Sequence, residues 1–303
     1  MDWLRHIPIL SNLLLVESNG MSFLDAIPLL YNGILACTIA ALISSFLGVF
    51  IVLKRIVFVS AALSQVSAFG IAISILIGVF FRIHFGEGEP TGFISVPALV
   101  SFLFAAVAAL LLAIQVGERK ITRESIVGIS YVLPAGLVLL ILDKIAVETH
   151  EIDNILFGNA VFVSNKQLLL LALAALMILA IHALLHKEFL FSSFDPDSAR
   201  AMGIKAVAFN QLLYFTFALA ISISISAIGA LPVFSFMVIP ATAALLLSDH
   251  IRRVFWLATL FGVFSALFGF YFSFVYSLPT GSAMLAFSAI FLLPGLIKRF
   301  LNR

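Results

Sequence analysis

"AVAFNQLLYFTFALAISISISAIGALPVFSFMVIPATAALLL", residues 206–247, contains no Asp, Glu, Lys or Arg. A helix crosses the hydrocarbon core of a bilayer in roughly 20 residues, so this run is too long for one pass and sized for two. Gly229 and Pro232 stand near its middle. A residue without Cβ followed by one without an N–H is where a helix stops and restarts. The run therefore predicts two spans joined by a tight boundary, either a very short loop or a break inside the membrane.

The rest of the chain has the same character. Of its 303 residues, 63% are hydrophobic and 11% charged, with a mean hydropathy of +1.20. Soluble domains carry about 25% charged residues. A globular core does not explain that deficit, and an all-α polytopic membrane bundle does. Long apolar runs predict nine spans, at 27–53, 56–81, 95–116, 126–142, 168–185, 206–229, 231–247, 254–277 and 282–297. The tight boundary widens the range to eight to ten. Residues 4–16 read as an interfacial segment. No cleavable signal pattern opens the chain. The single cysteine, Cys37, leaves no disulfide within it. A net charge of +2 gives no footprint for nucleic acid.

Lys and Arg set the orientation. With nine alternating spans, Lys54, Arg55, Arg119, Lys120, Arg123, Lys187, Arg200, Lys205, Arg252, Arg253, Lys298, Arg299 and Arg303 share one side. Arg5, Arg82, Lys144 and Lys166 fall on the other. The positive-inside rule makes the first side, and the C-terminus, cytoplasmic. The opposite side gathers most carboxylates, which would concentrate cations; ordinary polar outer loops have the same composition.

None of the nine predicted spans contains Asp, Glu, Lys or Arg, and His182 supplies their one imidazole. Proton-coupled transporters and embedded hydrolases keep titratable groups at such depths. The chain also lacks G-x-x-x-x-G-K-[ST], the loop that cradles ATP phosphates. Any energy input then comes from a partner. The polar residues within spans are neutral: Ser64, Gln65 and Ser67 in the second, Ser222, Ser224 and Ser226 in the sixth. They suit a translocation path, and equally the hydrogen bonds that join membrane helices. Pro134, Pro232, Pro240 and Pro294 mark kinks or broken helices.

Between spans five and six lies "FSSFDPDSARAMGIK", 191–205. Asp195 is placed to cap a helix, Pro196 to open it and Gly203 to stop it in a left-handed turn. A short polar helix in so apolar a chain points to docking.

Five stretches resemble the permeases of bacterial metal-ion ABC transporters, the ABC-3 class that imports manganese, zinc or iron. They are "LGVFIVLKRIVFVSAALSQVSAFGIAISILIG" (47–78), "ITRESIVGISYVLPAGLVLLIL" (121–142), "FSSFDPDSARAMGI" (191–204), "AIGALPVFSFMVIPATAALLLSD" (227–249) and "FGFYFSFVYSLPTGSAM" (268–284). The resemblance implies one transmembrane permease domain over 1–303 and a permease dimer, with itself or a similar subunit. It also implies two cytoplasmic ATPase subunits and an extracytoplasmic substrate-binding protein, at the bacterial inner membrane. The chain itself would bind no cofactor and would not be an enzyme; ATP would act through the partner. Residues 191–204 would form the cytoplasmic coupling helix, with Phe194, Asp195, Pro196, Asp197, Ala199, Arg200 and Gly203 at its motif positions.

One stretch departs from the family pattern. Where the family shows G-D-A-L-S-H, with acid and histidine four residues apart on one helix face, this chain has "SAALSQ", 60–65. Ala61 replaces the acid and Gln65 the histidine, and first-row metals prefer the groups that are missing. The candidate path is Ala61, Ser64, Gln65 and Ser67. Three alternatives stay open. Ligands elsewhere could serve, with Glu148, His150, Glu151 and Asp153 of "VETHEID" as the candidate outer-loop metal set, which also reads as a solvated loop. A paired subunit could supply the missing groups. The cargo could be a chelated metal or another small solute. The neutral interior also fits an ATP-independent channel or facilitator.

Overall fold

The computed structural model describes residues 17–18, 21–81, 95–114, 122–144 and 163–301. The interfacial segment expected at 4–16 lies outside them. A two-residue antiparallel pairing, β1 (Glu17–Ser18) with β2 (Met21–Ser22), precedes the first helix. Everything else regular among the described residues is helical.

The helices are α1 (Phe23–Leu53), α2 (Val57–Phe81), α3 (Val96–Ala113), α4 (Arg123–Lys144) and α5 (Asn165–Leu184). Next come α6 (His186–Phe194), α7 (Pro196–Ala201), α8 (Ala206–Ile228), α9 (Ala230–Leu247), α10 (Ile251–Tyr276), α11 (Thr280–Ile290) and α12 (Leu292–Leu301). Among the described residues nine segments are long and apolar enough to cross a membrane, the ninth being α11 with α12. Each falls on one of the nine predicted runs. Helices are what such runs must form, because a bilayer offers no water to backbone N–H and C=O groups.

The run 206–247 does divide in two, at a single residue. The Gly229 N–H closes α8 on the Ile225 carbonyl at 2.9 Å, and α9 starts at the next residue. Gly229 has φ +86° and ψ 166°, a backbone region essentially reserved for glycine. Pro232 sits in the first turn of α9, where its missing N–H costs nothing. Pro294 explains the break between α11 and α12, since it cannot donate to the Ile290 carbonyl four residues earlier.

Helix α1 is central, packed on α9, α10 and α5, while α2 lies between α3 and α4, and α8 lies against α3, α5 and α6. Small residues permit the closest crossings. A Cβ on Gly48 would lie 2.1 Å from the Met237 carbonyl oxygen, so α1 and α9 meet backbone to backbone. The ends carrying basic residues cluster: Lys298 Nζ at the end of α12 donates to the Leu247 carbonyl at the end of α9, at 2.8 Å. Asn210 near the start of α8 donates to the Ala113 carbonyl at the end of α3, at 3.1 Å.

Candidate functional site

The break at Gly229 opens a cavity of about 150 Å³, lined by Ala61, Ser64 and Gln65 of α2, Tyr131 of α4, and Ala230, Leu231 and Phe234 of α9. Three of the four path residues expected from sequence thus share one hollow. Ser64 donates its hydroxyl to the Ser60 carbonyl at 2.9 Å, a bond that leaves its oxygen able to accept. Gln65 is half-buried, and no hydrogen bond to its amide occurs among the described residues. Among the described residues the lining offers an amide, a hydroxyl and a phenol, and no charge.

Ser67 lies elsewhere. Its hydroxyl meets that of Ser101 at 2.6 Å, fully buried between α2 and α3. That bond joins two helices, and Ser67 is not among the residues lining this hollow. Tyr131 is the residue that sequence reasoning missed. It sits three residues before Pro134, whose missing N–H frees the Ser130 carbonyl beside it.

Of the serines in α8, Ser222 and Ser226 donate back to Leu219 and Ile223 carbonyls at 3.3 and 2.8 Å, while Ser224 is buried with no partner for its hydroxyl among the described residues. His182 is also buried. Its Nδ1 lies 2.9 Å from the Ile178 carbonyl and its ring stacks on Phe189, centroids 4.5 Å apart. Phe46 and Phe50 close the cluster, so this imidazole packs α5 on α6 and α1.

The polar stretch at 191–205 is not one helix. Phe191 to Phe194 end α6, the chain turns at Asp195, and α7 covers only Pro196–Ala201. The reason is local. Asp195 takes φ −142° and ψ +80°, outside the helical region, because a residue before proline is pushed out of it. Its side chain then accepts from the Ser198 N–H at 2.9 Å and from the Ser198 hydroxyl. These two bonds, the hydroxyl's first, hold the Asp195 carboxyl below the usual carboxylate range. At the far end the Gly203 N–H reaches Arg200 and the Ile204 N–H reaches Ala199, with Gly203 at φ +79°: a complete Schellman stop. Ala199 is the buried face of α7. Asp197 and Arg200 pair at 3.2 Å on the outside, and Phe194 and Met202 flank the helix more than half exposed.

Glu148, His150, Glu151 and Asp153 lie outside the described residues. Among those described, no three His, Cys, Asp or Glu side chains are grouped to hold a metal ion.

Known proteins share this architecture. The solved structure "PsaBC from Streptococcus pneumoniae in complex with Fab" superposes with a TM-score of 0.76 at 20% identity, covering 90% of this chain and 94% of that one, which shows the fold. The manganese transport system membrane protein MntC of Listeria monocytogenes is 28% identical over 263 residues, 86% of this chain and 87% of its own. A probable iron transport system membrane protein of Haemophilus influenzae is 25% identical over 261 residues, 86% and 90% of the two chains. The sequence profile of the ABC 3 transport family matches residues 26–299. Matched over nearly its whole length, the chain belongs to the ABC 3 transport family.

Proposed function

We propose that this chain is the permease subunit of an ATP-driven importer that carries a divalent metal ion, manganese, zinc or iron, across a bacterial inner membrane. Residues 1–303 act as one transmembrane domain with no catalytic role. The observation that carries the reading is α7. A six-residue helix capped at both ends, projecting an ion pair and two exposed apolar side chains from the basic end of the bundle, is built to be gripped. Phe194, Asp195, Pro196, Asp197, Ala199, Arg200 and Gly203 form that grip for a cytoplasmic ATPase. A second permease copy or similar subunit and an extracytoplasmic binding protein complete the assembly. The clustering of Lys and Arg at one end supports a cytoplasmic C-terminus. Manganese and iron enter through the relatives' names. The test co-expresses the chain with its ATPase, reconstitutes the complex and measures ATP-dependent uptake of manganese, zinc and iron. Absence of co-purification, or uptake that ignores ATP, overturns the proposal.

One observation favours a second reading. The cavity at Gly229 presents only neutral groups, which suits a chelated metal, another small solute, or an ATP-independent facilitator. Uptake into liposomes by this chain alone, without ATP, is the result that would establish a facilitator.

A further inference from the structure

A second hollow, of about 410 Å³, lies at the basic end, where α1 and α3 finish and α4 and α8 begin. Its polar lining includes Lys54, Arg123, Arg200 and Asn210. Its edge carries Ile114 and Val207, both more than half exposed. Lys54 is half-buried and, among the described residues, meets no carboxylate. Among the described residues, Arg123 bonds neutral oxygens, those of Tyr214 and Leu112, and of the three cations only Arg200 has an acid, Asp197. The hydroxyl of Ser193, another lining residue, is buried with no partner among the described residues. The chain is shaped to aim Lys54 inward. Arg55 adopts φ +56°, so that its N–H and that of Ile56 close the end of α1 on Val52 and Ile51. Burial, and then the charge of Arg123, push the Lys54 ammonium down to about 8.

Among the described residues, three cations against one carboxylate, with the unpartnered Ser193 hydroxyl beside them, form an incomplete electrostatic set. We propose that this hollow binds a phosphate group, that of an anionic phospholipid of the adjoining leaflet. The lipid source follows from position: the hollow stands at the ends of four spans, the level of headgroups, and its exposed Ile114 and Val207 suit acyl chains. A bound phosphodiester would bridge α1, α4 and the neighbourhood of α7, and so tie the docking helix to the bundle. The inference needs the membrane-spanning fold and does not depend on the cargo.

The purified chain, alone and with its ATPase, is placed in nanodiscs of phosphatidylcholine doped with phosphatidylglycerol, and retained lipid is counted by native mass spectrometry. We expect phosphatidylglycerol to be retained over phosphatidylcholine. Lys54→Met should weaken that preference by at least about fivefold, the weight of one basic side chain at a lipid surface, and Lys54→Arg should restore it. Lys54 makes no side-chain hydrogen bond among the described residues, so folding survives its loss. Equal retention of the two lipids, or an unchanged preference in Lys54→Met, overturns the proposal. If inorganic phosphate displaces the lipid and alone raises the unfolding temperature to the same plateau, the phosphate comes from solution and the lipid source is overturned. If the ATPase expels the lipid and Lys54→Met instead abolishes ATPase co-purification, the hollow is a protein dock and the proposal fails. Loss of ATP-driven uptake with lipid retention intact would touch the proposed function alone.

Discussion

Asp195 holds α7 with both of its carboxylate oxygens, and its lowered titration makes the cap pH-dependent. A carboxyl depressed in the folded state stabilises above its unfolded value and loses that contribution as pH falls through the folded one. The cap is therefore fully formed at neutral pH. Asp195→Lys removes the acceptor and opposes the helix dipole; insertion and folding should persist while ATP-driven uptake is lost, as cell-surface labelling and uptake assays would show together. Gly203→Val acts at the other end. A β-branched residue at φ +79° costs on the order of 1–2 kcal/mol, enough to fray a helix of six residues, and uptake should fall with little change in expression. Normal uptake in both variants would mean that α7 couples to nothing. Lys54 gives the opposite pH sign. Its value, lowered from 10.5 to about 8, means the folded chain releases a proton that the unfolded chain keeps. Stability is reduced below about pH 8 and recovers as pH rises toward 10.5. Thermal unfolding of the detergent-solubilised protein should show that rise, and Lys54→Met should flatten it.

At the scale of elements, the break between α8 and α9 is the feature on which the cavity depends. Replacing Gly229 by Ala places a Cβ at φ +86°, ψ 166°, a strain of about 1–3 kcal/mol. The chain would relieve it by rotating the start of α9, and its first five residues carry Ala230, Leu231 and Phe234. We expect reduced transport with the spans still inserted; unchanged transport kinetics would show that the cavity lies off the path. The spans themselves are legible in sequence because hydropathy is a property of composition, readable without knowing any contact. Ser67 could not be set apart by spacing, since it stands three residues from Ser64 on the same helix side, and its bond to Ser101 depends on how α3 crosses α2. Tyr131 could not be picked out either, because its approach to Gln65 depends on how α4 crosses α2. Nor could α6, whose "HKEFLFSSF" buries only Phe189 and Ser192 and so carries no long period to detect. The sharp turn at Asp195, by contrast, follows from Pro196 alone.

For the molecule as a whole, the unanswered charge of a divalent cation is the decisive quantity. One chain offers Gln65, Ser64 and Tyr131 around its cavity, and neutral oxygens bind manganese or zinc weakly beside carboxylate and imidazole. A twofold pairing of identical chains would double those neutral groups and add no charge. The positive charge must then be met by a dissimilar subunit, by the candidate carboxylates Glu148, Glu151 and Asp153, or by ligands that travel with the ion. These possibilities separate by titration. Calorimetry on the detergent-solubilised permease alone should detect no manganese binding in the micromolar range. The double variant Ala61→Asp, Gln65→His places an acid and an imidazole four residues apart on one face of α2, at the cavity wall. It should create measurable binding, and in the assembled complex it should shift which metal stimulates ATP hydrolysis. If the parent chain already binds manganese tightly and Glu148→Gln with Glu151→Gln abolishes it, the cation is held at the outer loop and the cavity is only a passage. If the double variant gains binding but the complex keeps its metal preference, residue 65 lies off the route of the ion, and selectivity rests with a partner.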